Sequence, residues 1–233
     1  MNDFGASLAT ASHLIFNADA ALLRIVGLSL AVSGSACVFA ALFGLAGGAA
    51  LAVGRFPGQR IVVLLLNTLL ALPSVVVGLV VYLLLSRAGP LGELGLLFTP
   101  PAMVIAQTIL ALPLVAALTR QLVADALRGS GDQLRSMGAG PMTRAALVLV
   151  HDRWSLLTLL LTAFGRAISE VGAVMIVGGN IDGVTRVMTT TIALETSKGD
   201  LPLALALGIV LLLVVGAINV LIALVQRLSK EGR

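Results

Sequence analysis

IVGLSLAVSGSACVFAALFGLAGGAALAVG, residues 25–54, carries no formal charge between Arg24 and Arg55. As a helix, thirty residues reach about 45 Å, more than the ~30 Å hydrocarbon core of a bilayer. Three more uncharged gaps, residues 61–86, 94–119 and 201–226, hold 26 residues each. A fifth stretch, residues 154–181, is interrupted only by Arg166 and Glu170. None shows the period-2 alternation of barrel strands, and backbone amides in lipid must be satisfied within their own segment, so helix is the expected conformation. The expected fold is an all-α polytopic membrane protein with five transmembrane helices, the membrane domain covering residues 25–227. Composition agrees: 58% of the 233 residues are hydrophobic and 11% charged, which excludes an ordinary water-soluble domain. The formal charge is +4, yet no basic run is dense enough to follow a phosphate backbone, so no nucleic-acid partner is expected. A single cysteine, Cys37, excludes an internal disulfide; with only His13 and His151 as histidines, no metal site is expected.

Residues 1–24 lack the basic start of a secretory signal and read as a retained extracytoplasmic or interfacial segment. Pro73 and Pro113 are expected to kink the second and third spans, with Pro100 and Pro101 near the start of the third. Gly44 and Gly48, four apart with Gly34, Cys37 and Ala41 at helical spacing, make a small-residue stripe on the first span suited to close packing. Orientation follows from the cations. With residues 120–153 placed in the cytoplasm, the inner side collects Arg55, Arg60, Arg120, Arg128, Arg135, Arg144, Arg153, Arg227, Lys230 and Arg233, ten of fifteen cations. The outer side holds Arg24, Arg87, Arg186 and Lys198. This asymmetry predicts an outside amino terminus, outer loops near 86–93 and 182–200, and a cytoplasmic tail at 228–233 in a cell inner membrane.

The inner segment 120–153 is expected to continue the third span as helix, to break at Gly129-Ser130-Gly131, and to resume as a short helix from about Asp132. Gly138 and Gly140-Pro141 punctuate it. Arg166 and Glu170 stand four apart, one face of a continuous helix, with Arg166 about 18 Å beyond Trp154 and hence near mid-membrane. Two readings remain: the pair borders a translocation route, or it stitches the fourth span to its neighbours. The second is favoured, because an anion gains little from an arginine already neutralised by Glu170. Gly165, Ser169, Gly172 and Ala173 make an adjacent small-residue stripe for a helix or a second subunit. Asn67, Pro73, Gln107, Ser169, Thr189 and Thr190 complete the candidates for the pathway or a dimer contact.

Catalytic chemistry finds no footing. Gly129-Ser130-Gly131-Asp132 spells a Gly-x-Gly-Asp pattern, but a carboxylate pair sharing a proton needs aspartates within the spans, and none of the five contains one. Neither histidine lies in a span, no Gly-x-Ser-x-Gly is present, and no catalytic residue is assigned. Neither lysine stands in a phosphate-cradling loop: Lys198 precedes Gly199 and Lys230 precedes Glu231. An uncoupled channel or intramembrane enzyme is the remaining alternative class.

The inner loop resembles the coupling loop of binding-protein-dependent ABC transporter permeases, whose motif runs Glu-Ala-Ala, three residues, Gly, nine residues, Ile-x-Leu-Pro. Gly138 stands at its glycine. Asp132-Gln133-Leu134 replaces Glu-Ala-Ala, Val148 the isoleucine and Val150-His151 the Leu-Pro. The stretch GRAISEVGAVMIVGGNI (165–181), followed by TRVMTTTI (185–192) and ETSKG (195–199), is similar to the tungstate-type permeases, near relatives of the molybdate ones. The resemblance implies the MetI-like fold of type I ABC importers, a homodimer of this chain, a cytosolic ABC ATPase dimer carrying ATP and Mg, and an extracytoplasmic oxyanion-binding protein. It implies no cofactor in this chain. Asp132, Arg135, Ser136, Gly138, Ala139 and Arg144 would meet the ATPase. The cargo implied is tungstate, with molybdate, sulfate or phosphate as alternatives.

Overall fold

The computed structural model describes residues 2–231, so Met1, Gly232 and Arg233 lie outside it, the last two belonging to the expected tail. Among the described residues the regular structure is entirely helical. Ten α-helices follow in order, with one 3-10 turn, Gly92–Leu94, between the fourth and fifth: α1 (Asn2–Phe16), α2 (Ala20–Val53), α3 (Gln59–Leu69), α4 (Ser74–Leu85), α5 (Pro100–Ser136), α6 (Pro141–His151), α7 (Arg153–Ile168), α8 (Gly172–Gly178), α9 (Met188–Lys198) and α10 (Leu201–Glu231). By length and composition α2, α5 and α10 can each cross a bilayer. The pairs α3/α4, bent by 100°, and α6/α7, bent by 80°, bring the number to five if each is one span.

α2 and α5 form the spine. Asp19 caps α2 by accepting from the amides of Ala21 and Leu22 at 3.0 and 3.1 Å. The small-residue stripe of α2 meets α5: a Cβ on Gly44 would lie 2.9 Å from Val115 Cβ, and one on Gly48 2.8 Å from Thr119 Cβ. The expected close packing of the first span is therefore present, and its partner is α5. Around this spine α4 and α8 pack with Val32, Met103 and Val174 on one side. α1, α7, α9 and α10 pack around Ala11, Ile168, Met188 and Leu207 on the other.

Several expected boundaries are corrected. The second span is two helices, because Pro73 lacks an amide proton and disfavours helical geometry at Leu72, turning a kink into a break. The third begins at Pro100 rather than 94; Thr99 takes the N-cap and Pro100 and Pro101 the first helical positions, where their missing donors cost nothing. That helix runs through Pro113 and through Gly129-Ser130-Gly131, where a break was expected, to Ser136. Ser130 donates to the Ala126 carbonyl at 3.0 Å, as a residue inside a helix does. At about 55 Å, α5 is longer than the hydrocarbon core. The short inner helix starts at Pro141, not Asp132.

The fourth span is corrected most. α7 stops at Ile168 instead of continuing to 181, and α8 then packs across α4. A Cβ on Gly172 would lie 2.8 Å from a Val75 methyl, and one on Gly78 2.8 Å from the Ala173 Cα. Residues 182–200, expected as an outer loop, contain α9. The irregular backbone from 179 to 187 is held by a turn, in which the amides of Val184, Thr185 and Arg186 converge on the Ile181 carbonyl, and by side chains. Thr185 donates to the Gly178 carbonyl at 2.5 Å and accepts from Ile181 N at 2.9 Å. Thr190 donates to Asn180 Oδ1 at 2.9 Å, and Met188 N donates to Ser29 Oγ at 2.8 Å. Thr190→Val strands the buried Asn180 oxygen and is expected to cost about 2 kcal/mol. Denaturant titration in detergent checks this; an unchanged midpoint contradicts a latch made by Thr190 and Asn180.

Candidate functional site

Two zones gather the candidate residues. The first is the end of α5 together with α6. Gly138 at φ +80° ends α5, its amide donating to the Arg135 carbonyl at 2.9 Å while the Ala139 amide donates to Leu134 at 3.1 Å. These two bonds make a Schellman cap, whose left-handed residue favours glycine, giving Gly138 a physical role. Pro141 starts α6, which turns 80° into α7. Ala145 and Val148 pack against Ala49 of α2 and Val123 of α5. The other side of α6 shows Met142, Leu147 and Val150, the last 71% exposed, with Met137 just before it at 74%. This exposed apolar surface, absent from the sequence expectation, suits a protein partner. It is hard to read from sequence because α6 is apolar on its packed side too.

Asp132, Arg135 and Ser136 are exposed on the last turns of α5. Ser136 Oγ donates back to the Gln133 carbonyl at 2.8 Å. Asp132, Arg135 and Arg144 line a cleft of about 1000 Å³ with Arg55 and Gln59, two residues the loop motif does not single out. Gln59 closes that corner, donating to the Leu51 carbonyl at 2.8 Å. Ala139 is half-buried beside the cap.

The second zone is at the break after α7. Arg166 lies in the last turn of α7 and Glu170 beyond its end, so the continuous helical face that was to join them does not exist. Among the described residues no ion pair links them; the Glu170 carboxylate instead accepts from Ala173 N at 3.4 Å. Arg166 and Ser169 are exposed on the open side of the chain. An arginine facing lipid costs roughly 2.5 to 3.5 kcal/mol at mid-membrane, which favours a covering of protein or water on this side. Gln107, 4% exposed, donates to the Ala167 carbonyl at 3.0 Å, joining α5 to α7, while its Oε1 is buried without a partner. Gln107, Arg166 and Glu170 line one small cleft with room for about 10 Å³, roughly one water.

The other candidates are dispersed. Asn67 and Pro73 are exposed at the α3/α4 bend. Thr189 donates to the Glu170 carbonyl at 2.7 Å, tying α9 to the break, and Thr190 is wholly buried in the latch. The small-residue stripe expected to receive another helix or a second subunit receives helices of its own chain: Gly172 and Ala173 pack on α4, Gly165 lies against Ile218 of α10, and Ser169 donates to the Gly165 carbonyl. Among the described residues no cluster of His, Cys, Asp and Glu could hold a metal.

No protein-family model matches the chain. It is 44% identical over 218 residues to the tungstate uptake system permease of Peptoclostridium acidaminophilum, covering 93% of this chain and 95% of that one. A probable anion ABC transporter permease of Haloferax volcanii is 43% identical over 86% of this chain and 88% of its own. The tungstate uptake system permease of Campylobacter jejuni is 38% identical over 90% of this chain and 87% of its own. Near full-length similarity, an all-helical fold with up to five spans, and a short helix with a free apolar face agree: the chain belongs to the family of ABC transporter permeases that includes the tungstate uptake permeases.

Proposed function

We propose that this chain is the membrane-crossing subunit of an ATP-driven importer of a tetrahedral oxyanion, tungstate, and that it works as a homodimer with its amino terminus outside and its carboxy terminus in the cytoplasm. ATP and Mg are bound by a separate ATPase dimer, and an extracytoplasmic binding protein delivers the anion. The observation that carries the reading is the joint between α6 and α7. The helix with the exposed apolar face continues through an 80° turn into the helix that bears Arg166. A displacement of α6 by a nucleotide-driven partner is carried along α7, a rigid element, to the mid-membrane zone. Ala145 and Val148 tie α6 to α2 and α5, so the same displacement reaches the spine of the bundle. The homodimer is supported by the exposed Arg166, whose charge a second copy would shield from lipid.

The test is reconstitution with the ATPase and binding protein, comparing ATP turnover with tungstate, molybdate and sulfate. Tungstate is expected to stimulate turnover most; equal stimulation by all three removes the assignment to tungstate. A reporter after Gly140 is expected in the cytoplasm and one after Val184 outside.

A further inference from the structure

Resting on the importer reading above, we propose that Arg166 is the residue that grips the oxyanion halfway across the membrane, the anion lying between the Arg166 side chains of two copies of the chain. Three observations lead there. First, the end of α7 at Ile168 separates Arg166 from the carboxylate expected to neutralise it, and Glu170 instead faces the amide of Ala173. Among the described residues Arg166 makes no hydrogen bond or ion pair, so its five donors are available to a ligand. A guanidinium offers paired donors that match the oxygens of an oxyanion, which a neutral side chain does not.

Second, the cleft beneath Arg166 has room for about 10 Å³, the space of one water, while a tetrahedral oxyanion has five heavy atoms. The anion therefore lies on the open side of Arg166, and a single chain supplies only half of its surroundings. Third, the buried Gln107 Oε1 lines the same cleft as an acceptor without a donor. In the proposed site one guanidinium N–H turns to this oxygen while the others serve the anion, which makes Gln107 a positioning residue.

The experiment uses the complete transporter in proteoliposomes, with Arg166→Cys in a Cys37→Ser background so that position 166 carries the only thiol in this chain. Tungstate uptake is expected to fall about 100-fold, the scale for removing one partner of a desolvated charge pair. A trimethylammonium methanethiosulfonate label is expected to restore uptake in part, a sulfonate label of similar size is not, and tungstate-loaded binding protein is expected to slow both labelling reactions. Equal effects of the two labels, or labelling rates indifferent to tungstate, overturn the proposal. If the cysteine variant does not assemble, Arg166→Lys decides: uptake below wild type supports the grip, and uptake equal to wild type overturns it. Absence of tungstate uptake by the Cys37→Ser parent would instead contradict the importer reading itself.

Discussion

Gly48→Leu is expected to unfold the bundle, while Gly47→Leu, one position along the same helix, leaves it intact. At Gly48 even a single Cβ would come within 2.8 Å of Thr119 Cβ and press on the Ala116 carbonyl, a backbone atom that cannot rotate away. At Gly47 nothing lies within 4 Å, and leucine there also improves helix propensity. The interface disturbed at Gly48 joins α2 to α5, the two helices on which three of the four buried clusters are built jointly. Overpacking a tight core costs about 1 to 3 kcal/mol and occasionally more, and a leucine against backbone belongs at the top of that range. The expected result is loss of a monodisperse peak in detergent for Gly48→Leu and wild-type behaviour for Gly47→Leu. Equal behaviour of the two would show that α2 does not rest on α5 through this stripe.

The Leu147→Asp, Val150→Asp double substitution is expected to abolish association with the ATPase without disturbing the membrane domain. Both side chains are exposed on α6, at 46% and 71%, so the folded chain loses little packing when they change. In a complex each would be buried, and burying an aliphatic side chain is worth about 1.5 to 3 kcal/mol, which aspartate forfeits while adding a carboxylate to be desolvated. A loss of affinity of at least 100-fold is expected by co-purification and titration, with unchanged detergent gel filtration. Ala145→Asp, on the packed side of α6 at 0% exposure, is expected to damage the fold instead. Retention of the ATPase by the double variant would move the docking surface elsewhere, the cleft lined by Arg55, Arg135 and Arg144 being the next candidate.

How far the sequence could be read differs from element to element. The first and last spans, expected at 25–54 and 201–226, appear as helices at 20–53 and 201–231, because bilayer thickness sets a long minimum length for an uncharged run. An irregularity at Pro73 was legible, as a kink, because proline acts locally; the full break into two helices was not. The break after Ile168 was not: Ser169-Glu170-Val171 carries no proline, and α8 departs there to cross α4 where Gly78 and Gly172 admit it, contacts far apart in sequence. The expected Arg166–Glu170 pair failed for that reason, since i,i+4 neighbours meet only on an unbroken helix. Gly129-Ser130-Gly131 misled in the other direction. Two glycines cost a helix about 1 kcal/mol each relative to alanine, and here α5 tolerates them, with Gly131 buried near Leu127. Gly138 was singled out by the resemblance to the permease loop motif, and the Schellman cap gives that glycine a local physical cause.

The most direct measurement of the central claim is tungstate accumulation in proteoliposomes holding this chain, its ATPase and the binding protein. With ATP on the ATPase side, tungstate is expected to accumulate above its outside concentration, and to remain at equilibrium when ADP replaces ATP or when α6 carries the two aspartates. Accumulation that needs no ATP, or equilibration at the same rate with and without the ATPase, would contradict a coupled permease and leave the chain as a passive pore.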